Sequence, residues 1–97
     1  MTPNRIRYTP TAAQSIRHLH PSIKQATKEA IRSLSSDPFQ GHPLTFELTG
    51  FRSLRISRYR VIYGTQETDR ALEIHLVGGR KDIYEIFRQL LERTSRP

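Results

Sequence analysis

The feature that most constrains this chain is the stretch from Leu54 to Tyr84, in which three short runs rich in Ile, Leu, Val and Tyr are separated by polar links. Leu54–Ile56, Tyr59–Tyr63 and Leu72–Val77 have the length and composition of consecutive antiparallel strands, and the Ser57-Arg58 link is too short for anything but a tight hairpin. Successive side chains of a strand alternate between faces. That rule puts Leu54, Ile56, Tyr59, Val61, Tyr63, Leu72, Ile74 and Leu76 on one side, apolar enough to be covered by helices. The other side receives Ser53, Arg55, Arg60, Ile62, Glu73 and His75, and Arg80 and Tyr84 follow just past the last run. A meander with one apolar face and one face carrying arginines, a histidine and a tyrosine suits a polyanion.

The flanking segments supply the cover. Arg5–Tyr8 reads as a short strand, and Thr9-Pro10 as a helix N-cap with proline in the first turn, ahead of Ala12, Ala13, Ile16 and Leu19 at helical spacing. After the interruption at Pro21, a second helix is expected from about Ser22 to Leu34, with Ile23, Ala26, Ala30, Ile31 and Leu34 inward. The two helices form a hairpin that Ser35, Ser36, Asp37 and Pro38 end. Phe39–Gly50 is expected to be a loop, with Phe46 and Leu48 able to add a short strand, and Gly78-Gly79 to break the last strand. Asp82 and Glu85 have the spacing of an N-cap and its capping-box partner, opening a helix with the stripe Ile83, Ile86, Phe87, Leu90 and Leu91. Tyr84 lies about 100° round that helix from Ile83, at the margin of the stripe. It is either a half-buried packing residue or a hydroxyl that reaches a ligand.

Composition narrows the functional classes. A length of 97 residues makes one domain, spanning 1–97, with a single modest core. The lack of cysteine excludes disulfide support and thiolate metal sites, and with no long apolar run there is no signal peptide or membrane span to expect, so a cytoplasmic protein is the default. A net charge of +7 and a pI near 10.6 make nucleic acid the leading class of partner. Arg52, Arg55, Arg58 and Arg60 crowd into nine residues without an acid, where mutual repulsion is unfavourable unless an anion sits there. Lys24, Lys28 and Arg32 form a second basic row at spacing four, either a solvated helix face or a further RNA-facing surface. His18, His20, His42 and His75 show no ligand spacing, so no metal is expected, and the serines lack a nucleophile-elbow setting. No Gly-rich phosphate loop precedes a helix.

Two segments carry a resemblance. Leu54-Arg55-Ile56-Ser57-Arg58-Tyr59-Arg60-Val61-Ile62-Tyr63 and Val77-Gly78-Gly79-Arg80-Lys81-Asp82-Ile83-Tyr84 resemble the two signature blocks of RelE/ParE superfamily toxins, typically written LRVGDYRVIY and VGHRRDVY. The resemblance covers essentially the whole chain, in the order strand, helical hairpin, Asp-Pro loop, meander and terminal helix. It implies an α+β (α/β) fold: a small antiparallel sheet with the helical hairpin on one face and a C-terminal helix. It also implies one of two activities. RelE-type members are metal-independent, ribosome-dependent endoribonucleases that cut messenger RNA in the decoding site; ParE-type members poison DNA gyrase without being enzymes. A third possibility is an inactive nucleic-acid-binding relative. By resemblance, Arg60 and Arg80 match phosphate-binding arginines, Tyr84 the catalytic tyrosine, and Arg55 a basic residue of the preceding strand, which favours the nuclease branch. Arg58, His75 and Lys81 stand beside them as candidate RNA contacts, with Lys24, Lys28 and Arg32 as the outlying row.

The chemistry agrees with that branch. RNA is cleaved when its own 2′-OH attacks the adjacent phosphate, which needs a proton acceptor, stabilisation of the phosphorane and protonation of the leaving 5′-oxygen. Arginine's permanently charged planar fork suits the second task and not proton transfer. Tyr84 can serve as base if neighbouring cations stabilise its phenolate, and His75 can supply a proton near neutral pH. No cofactor is expected. The resemblance further implies a co-produced antitoxin, which the charge of +7 expects to be acidic in its toxin-binding segment, alongside messenger RNA and ribosomal RNA as partners.

Overall fold

The computed structural model describes residues 4–66, 70–79 and 82–95. The candidate site residues Arg80 and Lys81 lie outside them. Strand β1 (Arg5–Tyr8) leads into helices α1 (Pro10–Arg17) and α2 (Pro21–Leu34), then β2 (His42–Pro43), a 3₁₀ turn (Phe46–Leu48), β3 (Phe51–Ile56), β4 (Tyr59–Gln66), β5 (Ala71–Gly79) and α3 (Ile83–Ser95). Among the described residues no helix is long and apolar enough to cross a membrane.

The meander forms as its alternation demands, β3 and β4 joined by Ser57-Arg58 with Ser57 at φ 55°, the left-handed conformation that two-residue hairpins require. The sheet order is β1-β5-β4-β3-β2. Because β1 joins β5 in parallel, an otherwise antiparallel sheet becomes mixed. A parallel partner needs a long crossover, and α1, α2 and the meander provide it. Each helix start is built locally. The Thr9 Oγ1 accepts from the Ala12 N–H at 3.0 Å, and the His20 Nδ1 accepts from the Ser22 N–H at 3.2 Å. Ser15 ties α1 to the sheet, its Oγ accepting from the Val77 N–H at 3.1 Å.

Two clusters fill the two faces. The hairpin face packs Ala12, Ile16, Ile31 and Leu34 against Leu54, Val61, Tyr63, Leu72, Ile74 and Val77. The opposite face packs Ile83 and Phe87 of α3 against Leu48, Ile62 and Leu76. Several expectations are corrected here. Ala13 and Ala26 face solvent, and the small buried residue of α2 is Thr27. Phe46 and Leu48 form the 3₁₀ turn, while the extra strand is His42–Pro43. β5 continues through Gly78 and Gly79, which pair with Arg60 and Tyr59. Glu85 pairs with Arg88, although the Asp82 carbonyl does accept the first helical bond, from Ile86.

Leu76 changes face. Tyr63 pairs with Ile74 but Ile62 pairs with Leu76, so His75 is an extra residue in β5 and every side chain after it is reversed relative to a regular strand. Leu76 therefore joins Ile62 under α3, and Val77 takes the place expected for Leu76. The second face is consequently apolar and covered at its centre, leaving only its hairpin end for an anion.

Candidate nucleic-acid interface

The open end of that face is set by strand alternation. Phe51, Ser53 and Arg55 of β3 and Arg60 and Ile62 of β4 share the α3 side, with Arg55 directly opposite Arg60 and Ser53 opposite Ile62. Polarity rises along the face. Phe51 meets Phe87 edge-on at 4.8 Å at the covered end, Ser53 and Ile62 come next, and the two arginines stand nearest the hairpin.

Like charges directly opposite one another weaken a sheet. Neither Arg55 nor Arg60 has an ion pair with any described residue; the Arg55 Nε donates to the Ser57 carbonyl at 3.2 Å, and the Arg60 Nε is buried with no hydrogen-bond partner. A buried, unmatched guanidinium N–H costs about 1–3 kcal/mol and is relieved by an anionic acceptor. On its other flank Arg60 pairs with Gly78, which places no side chain beside it.

Tyr84 sits at the boundary between the apolar and cationic parts. As the second residue of α3 it packs at the margin of the apolar cluster, and its hydroxyl lies 3.0 Å from the Ser53 Oγ. Ser53 is only 1% exposed. The two hydroxyls share one hydrogen bond in which either can donate. The structure shows the packing role for the Tyr84 ring and ties its hydroxyl to Ser53, the residue between Phe51 and Arg55 on that face.

The other expected site residues separate. Arg58 is exposed on the hairpin beside Gly79, Asp82 and Ile86, lining a groove of about 660 Å³. Ile86, expected in the buried stripe of α3, is half-exposed on that groove. His75 is half-buried at the covered end, edge-on to Phe51 at 5.1 Å and 3.4 Å from the Glu73 carboxylate. Burial lowers its pKa, and Glu73 opposes that only in part, so the imidazole there is neutral at pH 7 and poorly suited to donate a proton. Lys24, Lys28 and Arg32 belong to α2, on the other face of the sheet from Tyr84, and Lys24 is bonded to the Arg17 carbonyl at 3.2 Å. Arg52, one of the four clustered arginines, points to the loop side: it holds the Gly41 carbonyl at 2.6 Å and lies 4.9 Å from the centre of the Phe39 ring. Its charge is structural. Among the described residues no three His, Asp or Glu side chains cluster as metal ligands.

Sequence reasoning did not identify two contributors. The role of Ser53 depends on a contact 31 residues distant, for which the only signal is its place on the Arg55 face. Phe46 read as a strand residue, yet its ring is 86% exposed.

Comparison with known proteins bears on what this constellation serves. Residues 6–84 match the family model described as ParE toxin of type II toxin-antitoxin system, parDE. The chain is 37% identical over 84 residues to toxin RelG of Mycobacterium tuberculosis, covering 84% of this chain and 97% of that protein. Among solved structures, it matches a chain of the M. tuberculosis toxin-antitoxin complex RelBE2 with a TM-score of 0.76 at 34% identity, covering 80% of this chain and 99% of that one. A free-state arginine double mutant of the Escherichia coli toxin RelE matches with a TM-score of 0.75 over 96% of this chain and 98% of its own. At 14% identity that match speaks for the fold alone.

Proposed function

The chain belongs to the ParE toxin family of type II toxin-antitoxin systems, within the RelE/ParE superfamily, and from that premise we propose that it is a toxin of RelE type, a metal-independent endoribonuclease that cuts messenger RNA on the ribosome. One observation carries this reading: the Tyr84 hydroxyl, fixed by Ser53, stands on the face where Arg55 and Arg60 lie opposite each other with no acid paired to either among the described residues. A gyrase-binding surface would need no oriented hydroxyl. A phosphoryl-transfer site does.

In this mechanism the scissile phosphate lies at the hairpin end of the sheet. Arg60 and Arg55 hold its non-bridging oxygens, and Arg80 adds to them as the sequence resemblance implies. Their charge stabilises the phosphorane as the 2′-oxygen attacks in line. Tyr84, its hydroxyl held by Ser53, takes the 2′-proton. The departing 5′-oxygen takes its proton from solvent water at the open hairpin end, so the upstream fragment ends in a 2′,3′-cyclic phosphate and the downstream fragment in a 5′-hydroxyl. His75 has no part in it.

The partner implied by membership is an antitoxin, and we assign it an acidic segment that covers Arg55 and Arg60. Displacing α3 instead would expose Ile83 and Phe87, buried at 1% and 2% exposure, together with Ile62 and Leu76. Translation in a cell-free extract with primer extension on the message separates the two branches. Codon-phased cuts are expected; intact message with accumulating gyrase-DNA cleavage complexes would assign the chain to the inhibitor branch.

A further inference from the structure

Phe46 stands out on two independent measures. Its ring is 86% exposed and its backbone has φ 55°, a conformation that an aromatic residue rarely adopts. The turn is locked in that state: the Phe46 carbonyl accepts from both the Thr49 N–H at 3.0 Å and the Thr49 Oγ1 at 2.6 Å. Packing alone explains neither feature, since glycine would relieve the backbone and a polar residue would suit the exposure.

The ring borders a groove of about 430 Å³ between this turn and the first turns of α3, whose lining includes His42, Glu47, Tyr84, Glu85 and Arg88. Tyr84 therefore links the groove to Ser53, the residue next to Arg55 on its face of β3. The charge of the groove selects its occupant. Arg88, the only Arg or Lys among the described residues that line it, is bonded to Glu85 at 2.6 Å and to Glu92 at 3.0 Å, so its charge is already matched. Glu47 and Glu85 on its walls repel an acidic peptide. An uncharged planar group meets neither objection, and an exposed aromatic ring offers it a stacking surface.

We infer that Phe46 is a nucleobase platform: one base of the RNA, next to the phosphate held at Arg55 and Arg60, stacks on its ring in the groove beside Tyr84. This rests on the ribonuclease reading and adds to it a residue that holds the base beside the cut and gives it a modest base preference. Stacking needs a ring and tolerates its identity, whereas the backbone strain belongs to any residue with a Cβ at that position.

The test compares wild type with Phe46→Ala, Phe46→Trp and Phe46→Gly in cell-free translation, reading the rate and position of message cuts, with melting temperature measured in parallel. Phe46→Ala and Phe46→Gly are expected to lose about tenfold in cutting at limiting message, the loss of one stacked base, and to weaken the base preference beside the cut. Phe46→Trp should keep both. Phe46→Gly should melt no lower than wild type, because it relieves the strained φ, so its loss of cutting is not a loss of fold. Unchanged cutting and base preference in Phe46→Ala, with wild type active, would overturn the platform alone. So would a Phe46→Ala protein that cuts normally but escapes its antitoxin, which makes the groove a protein-docking site. A wild type that cuts no message at all overturns the ribonuclease reading, and the platform with it.

Discussion

At the scale of single residues, the account turns on a hydroxyl pair and a guanidinium pair. Tyr84→Phe keeps the ring among its apolar neighbours and removes only the group bonded to Ser53. Message cutting is expected to fall about a hundredfold or more, the range for loss of a proton-transfer group, while unfolding free energy falls by only about 1–3 kcal/mol as the buried Ser53 hydroxyl loses its partner. Ser53→Ala tests the orientation separately. It removes one hydrogen bond worth about 1 kcal/mol, so the turnover rate should fall about fivefold with little change in KM, and equal losses in both parameters would mean that Ser53 only maintains packing. Arg60→Ala should lower cutting by about a hundredfold, with Arg60→Lys recovering part of the charge but not the fork. Assays of variants purified under one salt condition check all three. The face shared by Ser53, Arg55 and Arg60 was legible from alternation alone, because β3 and the start of β4 are regular. The Ser53–Tyr84 bond was not, since sequence spacing says nothing about which helix turn lands over which strand.

At the scale of elements, the His75 bulge decides how much of the second face is open. Strand existence was readable from composition, but alternation fails at one inserted residue, and nothing in Ile74-His75-Leu76 marks where the extra residue falls. The bulge has a measurable consequence. Burial lowers the pKa of His75 from 6.5, so the folded state binds the imidazole in its neutral form and the unfolded state takes up the proton more readily. Stability is then complete above pH 6.5 and is lost as the pH falls from 6.5 towards the lower folded value. Chemical denaturation at about pH 7.5 and about pH 5.5 should show that loss, and His75→Phe, which keeps a ring between Phe51 and Phe87, should reduce it. The loop before β2 offers a second case. Tyr63 is fully buried, its hydroxyl donating to the Pro38 carbonyl at 2.8 Å and accepting from the Gly41 N–H at 3.0 Å. Tyr63→Phe leaves both groups unmatched and should lower unfolding free energy by about 1–3 kcal/mol in urea titration, with message cutting retained.

At the scale of the whole molecule, one sheet separates two layers with different duties. The helical hairpin supplies the larger core and carries Lys24, Lys28 and Arg32 away from the arginine strip, so charge spread over the surface is not one continuous RNA track. The fold was legible because helix caps, turn residues and apolar periodicity agreed over most of the chain, and Thr9 and Pro10 mark the start of α1 as the sequence suggested. The parallel docking of β1 was not, because a four-residue strand carries no register of its own and is placed by β5. The layer under α3 carries the proposed chemistry: a small apolar cluster holds the Tyr84 hydroxyl on Ser53, on the face that also bears Arg55 and Arg60, which have no ion pair with any described residue. End-group analysis of message cut by the purified toxin on programmed ribosomes is the direct test of that chemistry. Cleavage as proposed leaves a 2′,3′-cyclic phosphate upstream and a 5′-hydroxyl downstream; a 5′-phosphate downstream, or message left whole on the ribosome, would contradict it.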